Sequence, residues 1–464
     1  MTTRLTAQLW QQLWQALRND DAPDVHFTGE QRLRSAFPVT ELAATSMALA
    51  MQTAAALTGN PSRQRVEMRL ASRWFQHSFQ PVNRSAPSLW DAFAGDYAAA
   101  NGWIRLHTNA PHHRAAMENV LGAHASRAAL AQAVSRQDKT ALEQAMIDAG
   151  GCAAEMRSVE AWRQHPQGQS VRQEPLIAQS VQPQAAAPGW ALSRLRPLQG
   201  VRVLDLTRII AGPVATRFLA GLGADVLRLD PPGWQEPTLE EEVTLGKRCA
   251  RLDLKSAAGR QIFEQLLGQA DILIHGYRAD ALSALGYDTE AQQKLSPGLI
   301  EVSLNAWGWT GPWRNRRGFD SLVQMGCGIA EAGRQWQHSE KPVPLPVQAL
   351  DHATGYLMAA AALEGMRLRL QNGTGFRARL SLARTACLLT DNPYPEAMRL
   401  NGLVSAQPHD NNVETEINAW GIGLRLKPPV DLPGTPLVWS ASASPLGSAR
   451  AAWRDEPAGY APVN

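Results

Sequence analysis

The sequence predicts an α/β protein built on a doubly wound, parallel, Rossmann-like sheet, with a smaller α+β domain before it. Three observations carry that expectation. Short apolar runs alternate with helical stretches from Val201 onward, a Gln-, Ala- and Pro-rich stretch divides the chain between residues 171 and 197, and an Ala-rich helical pattern occurs once on each side of the divide.

After the divide, VRVLDL from Val201 reads as a strand, Ala211 to Leu222 as a helix and Ala224 to Asp230 as a second strand. Ala250 to Leu254 is a short strand, Ala257 to Gly268 has helical spacing, and DILIH from Asp271 and LIEVSL from Leu299 are strands again. Strands apolar on both faces, as VRVL, DILI and LIEV are, suit a parallel sheet covered by helices on both sides. Before the divide, Val39 to Leu57 is an Ala-rich helix stopped by Gly59, Asn60 and Pro61 and followed by a strand-like RVEMRL from Arg65. Leu350 to Leu370 repeats the pattern, with Asn372 and Gly373 as the stop and RARLSL from Arg377 after it. With one gap the two segments run in parallel for about forty residues, a proposed duplication in which Asp351 faces Thr40 and Glu41 lies beside it.

The chain has 464 residues, 44% of them hydrophobic, enough for two or three domains. Its 45 Lys and Arg are spread among 42 Asp and Glu without a basic block, which speaks against a nucleic-acid partner. Cys152, Cys249, Cys327 and Cys387 lie far apart and read as reduced core residues. The N-terminus lacks the pattern of a signal peptide and no apolar run is long enough to span a bilayer, so a cytoplasmic protein with no membrane partner is expected.

Four features invite chemistry. The turn RIIAGP from Arg208 lacks dinucleotide spacing, yet a helix N-terminus at the carboxyl end of a parallel sheet suits an anionic ligand. His107, His112 and His113 cluster without a carboxylate or HExxH spacing, so a His-rich surface loop is expected rather than a metal site, and no metal is assigned. Trp307, Trp309 and Trp313 with Arg314, Arg316 and Arg317 suit either a stacked nucleotide or packing against the sheet. Asp351, within ALDHATG, opens the second Ala-rich helix. It reads either as an N-cap or as a carboxylate nucleophile kept ionised by the helix terminus, and the pattern leaves both open.

From Leu198 to about Leu388 the chain resembles the family III CoA-transferases, which include formyl-CoA and carnitine CoA-transferases and related 2-methylacyl-CoA racemases. Five blocks carry the resemblance in order: LQGVRVLDLTRIIAGP at Leu198, LGADVLRLDPPG at Leu222, GKRCARLDLK at Gly246, ADILIHGYRADALSALGY at Ala270 and GFDSLVQMGCG at Gly318. WDAFAGDYAAANGWIRL at Trp90 and AGGCAAEMRSVEAWRQHPQ at Ala149 look like the family's small domain, which there follows the large one. The resemblance therefore implies a permuted or partly duplicated order: residues 1–87 resembling the end of a large domain, 88–170 a small domain, 171–197 a linker, 198–392 a CoA-binding Rossmann-like domain, and 393–464 a C-terminal segment.

It also implies a transferase that moves CoA between an acyl-CoA donor and a carboxylic acid, with both as substrates, no permanently bound cofactor, and an interlocked homodimer. Asp351 matches the catalytic Asp, and N–H groups at the start of the 353–370 helix would stabilise the oxyanions. Arg208, Ala211, Lys247, Arg248, Tyr277, Arg278 and Trp307 match CoA-binding positions, while Ile210, Gly276 and Trp307 depart from the family's residues. The rivals are a racemase, whose His before the Asp is Phe319 here, and a non-catalytic relative that binds CoA thioesters.

Overall fold

A computed structural model describes residues 3–278, 280–394 and 404–454. Seven strands form the main sheet in the spatial order Lys247–Arg251, Asp225–Asp230, Arg202–Leu206, Ile272–His275, Ile300–Asn305, Thr374–Ser381 and Ala178–Gln184. The first six are parallel and the seventh runs antiparallel at the edge. Successive side chains on a strand point to opposite faces, and here both sets are apolar. Val203, Val226, Ile272, Ile274 and Val302 enter one core, and Leu204, Leu206, Leu227, Leu229 and Leu273 enter another. Helices Ala211–Gly221 and Ala349–Asn372 cover the first face and Ala257–Leu267 the second, giving the expected double winding.

Residues 171–197 are not simply a linker, because Ala178–Gln184 pairs with Thr374–Ser381 as the edge strand. An edge strand bonds on one side only and leaves residues such as Val181 exposed, so it needs little apolar periodicity. The strand expected at Ala250 instead begins at Lys247, and RVEMRL is strand only to Glu67. There the Glu67 carboxylate accepts from the N–H groups of Arg69 and Leu70 and starts the helix Met68–Gln76.

The two Ala-rich helices, Val39–Thr58 and Ala349–Asn372, pack along each other. Each follows a residue with φ −76° (Pro38 with ψ 63°, Gln348 with ψ 64°), and each ends on a left-handed glycine, Gly59 at φ 60° and Gly373 at φ 66°. Aligned from these matching starts, Asp351 stands opposite Glu41, not Thr40, so the early helix also carries an acid at this position. Glu41 is sealed away on Arg32 and the Tyr394 hydroxyl. Gly355 lets the later helix approach Ala211–Gly221, since a Cβ there would lie 2.4 Å from the Ala211 carbonyl oxygen.

Strands Gly95–Ala99, Gly102–Leu106 and Ala153–Glu155 form a small sheet whose core, with Phe93, Tyr97, Ile104, Leu130 and Met146, is separate from the others. The first 87 residues share the main core with the large sheet. Of the C-terminal segment, Gly421–Arg425 pairs with Phe79–Pro81 and Val430–Asp431 with Gln64–Glu67, while residues 395–403 and 455–464 lie outside the described residues. Among the described residues no helix is long and apolar enough to cross a membrane.

Candidate active site

Turns at the carboxyl ends of the parallel strands meet segments from the first half of the chain around a cavity of about 1100 Å³. Ile209 and Ile210 follow one strand, residues 231–239 follow the next, and Phe319 to Ser321 and Pro346 to Gln348 close the side where Asp351 sits. Residues 73, 75–77, 88–91, 107 and 109–112 also line the cavity. This is where open parallel sheets bind ligands.

Asp351 is the third residue of its helix, which begins at Ala349, so it is not the N-cap; that position belongs to Gln348, whose side chain makes no capping bond. The Asp351 N–H donates to Asp320 Oδ2 at 2.8 Å, and Gln324 Nε2 donates to Asp320 Oδ1 at 2.5 Å. Burial pushes the Asp320 carboxyl up to about 6. Burial and the Asp320 charge push Asp351 well above the usual carboxylate range. The helix terminus therefore does not keep Asp351 ionised as the sequence suggested. A helix end is worth about 0.3–1 kcal/mol to a nearby anion, whereas burying a carboxylate costs several.

The first-turn N–H groups are also engaged. Ala349 donates to Val347 O at 2.8 Å, Leu350 and Asp351 to Asp320, and His352 to Gln348 O at 3.2 Å. The helix start consequently offers no free donors for an oxyanion, contrary to expectation.

Ile209 has φ 67°, a left-handed conformation that a β-branched residue adopts only under constraint. Its N–H donates to Glu236 Oε2 at 3.0 Å, and Glu236 is held by Arg228 and by Trp234 Nε1. The strained turn is thus fixed by a buried ion pair beneath the next loop.

Arg208 places its guanidinium 4.8 Å from the Trp234 ring centroid and 5.4 Å from that of Tyr277, and donates to the Tyr277 hydroxyl at 3.3 Å. It spans the turns after Arg202–Leu206 and Ile272–His275, the point where the strand order reverses. Arg278, which follows Tyr277 in the chain, is exposed. Arg208 and Tyr277 are therefore brought together next to Trp234, which lines the cavity.

The other expected contacts are not. Lys247 is fully buried, with Nζ 3.1 Å from Asp205 and 3.0 Å from Pro213 O, so it holds the first strand to its helix. Arg248, on the far edge strand, is bidentate to Asp225 of the neighbouring strand. Trp307 packs among Trp162 and Trp313 and donates to Arg317 O, which resolves the Trp cluster as packing. Ala211 is buried as the first residue of its helix.

The His cluster is not a surface loop. His107 and His113 are buried, and His107 stacks on Phe319 at 4.0 Å and lines the cavity with the exposed His112. His352, also in the wall, stacks on Phe75 at 4.9 Å. Burial, with nearby positive charge, holds both imidazoles at about 3, so they are neutral near pH 7. The sequence reading passed over Asp320, although it lies in the block at Gly318; nothing local marked Trp234 or Glu236.

A parallel α/β sheet with a cavity over the carboxyl ends of its strands defines a ligand-binding domain. Residues 198–419, a little under half of the chain, match the family described as CoA-transferase family III. The chain is 31% identical over 209 residues to the succinyl-CoA:glutarate CoA-transferase of Mus musculus, covering 42% of this chain and 48% of that protein. It is 32% identical over 200 residues to an acetyl-coenzyme A transferase of Hypoxylon pulicicidum, covering 42% and 34%. To the formyl-CoA:oxalate CoA-transferase of Escherichia coli it is 29% identical, covering 45% and 52%. The chain thus spans about half or less of the length of these relatives.

Proposed function

We propose that this protein transfers CoA from an acyl-CoA donor to a carboxylic acid through covalent intermediates on Asp351. The supporting observation is that Asp351, inside the family-matched region, lines a deep cavity at the carboxyl end of the sheet. The Asp351 carboxylate attacks the thioester carbonyl, the C–S bond breaks, CoA thiolate leaves, and a mixed anhydride forms. The thiolate then attacks the aspartyl carbonyl, releasing the donor acid and leaving an aspartyl-CoA thioester. The acceptor carboxylate expels the thiolate to give a second mixed anhydride, and the thiolate takes the acceptor acyl group and frees Asp351.

Arg208, Tyr277 and Arg278 are proposed to hold the charged end of CoA, through a guanidinium suited to phosphate and aromatic faces suited to a base. The Asp320 carboxylate anchors the backbone of the nucleophile and, through its charge, raises the nucleophile's basicity. The racemase alternative is not favoured: the relatives above are transferases, and Phe319 stands at its base position. Pairs of acyl-CoA and free acid from a chemically varied panel should yield a new acyl-CoA with conservation of total CoA ester, read by liquid chromatography. Hydrolysis to free CoA alone, or no exchange with any pair, refutes the proposal.

A further inference from the structure

The cavity wall has a charge pattern that the transferase reading does not by itself require. Among the described residues lining it, Arg73 is the one Arg or Lys, and its guanidinium is paired with Asp410. Glu242 is bound by Arg217, Glu236 by Arg228, and Asp91 by the Thr108 hydroxyl and Arg114. His107 and His352 are neutral near pH 7, burial also lowers His112, and His77 is exposed. No unpaired cation of the described wall faces the space beside Asp351. The wall that Asp351 shares is built of apolar side chains, Phe75, Ile209, Ile210, Phe319, Val347 and, at the rim, Trp90, beside uncharged polar ones such as Asn109, Ser321 and Gln348.

We infer that the acyl chamber takes an apolar monocarboxylic acyl group and discriminates against acyl groups that carry a second carboxylate. The inference rests on the transferase reading and deepens it to a substrate class. An acceptor's reacting carboxylate is consumed in the new bond. A distal one would be carried into the cavity with its charge, against Asp320 and Asp351, and with hydroxyl, amide and neutral imidazole groups but no free cation of the described wall to balance it. Burying an unpaired carboxylate costs far more than burying a methyl group, which gains from the same wall. A cavity of about 1100 Å³ exceeds what a single small ligand fills, leaving room for the pantetheine arm and a chain of several carbons together.

The test uses six-carbon esters that differ in the terminal group, hexanoyl-CoA and adipoyl-CoA, with a common short acceptor acid. Transfer is read as kcat/KM on the wild-type chain, and binding is read by calorimetry on Asp351→Asn, where no turnover intervenes. We expect hexanoyl-CoA to exceed adipoyl-CoA by at least about tenfold in both. Equal or better use of adipoyl-CoA overturns the apolar assignment and leaves the transferase reading intact. If neither ester is turned over, the transferase reading stands or falls on the wider panel above, and the binding ratio alone decides the character of the chamber: about unity overturns the inference.

Discussion

Replacing Asp351 with Asn should make the protein more stable at neutral pH, not less. Asp351 is about 7% exposed and Asp320 is fully buried, with the Asp351 N–H on the Asp320 carboxylate. A carboxyl raised on folding weakens the fold as pH rises above its unfolded value, because ionisation is opposed only in the native state. For Asp320, moved from about 3.9 to about 6, that cost is about 3 kcal/mol once pH exceeds 6. Asp351 is shifted the same way and also bears the Asp320 charge, and Asn removes its ionisation while keeping its shape. We expect Asp351→Asn to gain stability at pH 8 on the order of the Asp320 cost, about 3 kcal/mol, and much less at pH 4, where the native carboxyl is protonated and the unfolded one is about half so. No cap is lost, since Gln348 occupies that position. Thermal and urea denaturation at the two pH values measure it. A loss of stability at pH 8, or the same gain at both, would refute the reasoning.

The same pair predicts a rate that climbs with pH: nucleophilic attack needs the Asp351 carboxylate, so kcat/KM should rise through an apparent value at or above about 6, and a flat profile from pH 5 to 8 contradicts this. Arg208→Ala should weaken CoA binding about tenfold by calorimetry with little change in melting temperature, whereas an unchanged affinity removes Arg208 from the CoA site. Lys247→Met should cost about 3–5 kcal/mol in urea denaturation by stranding the buried Asp205, while Arg248→Gln, at a partly exposed pair, should cost less than about 1; similar losses would contradict the assignment of Lys247 to structure.

The sheet was legible because its strands are apolar on both faces, which leaves a clear signature in runs such as VRVL and DILI. The edge strand Ala178–Gln184 was not, because it answers to backbone pairing on one side and has little apolar demand. Asp351 was legible through motif order, but its environment was not. A helix that starts two residues earlier and a second acid that closes on its N–H are tertiary facts, and they reverse the sign of the electrostatic argument. Lys247, Arg248 and Trp307 show the converse error. Each matched a motif position, yet Asp205, Asp225 and the indoles of Trp162 and Trp313 claim them. The opposition of Glu41 to Asp351 is set by the matching backbone starts of the two helices, which the amino-acid letters do not carry.

The most direct test of the account is to locate the covalent intermediate. Wild-type protein incubated with an acyl-CoA that supports transfer, quenched with hydroxylamine and digested should yield a hydroxamate on Asp351, identified by peptide mass and fragmentation. Asp351→Asn, shown to be folded and free of deamidation, should yield none and should transfer no CoA. A hydroxamate on another residue, or transfer that persists in Asp351→Asn, would contradict the assignment of Asp351 as the nucleophile.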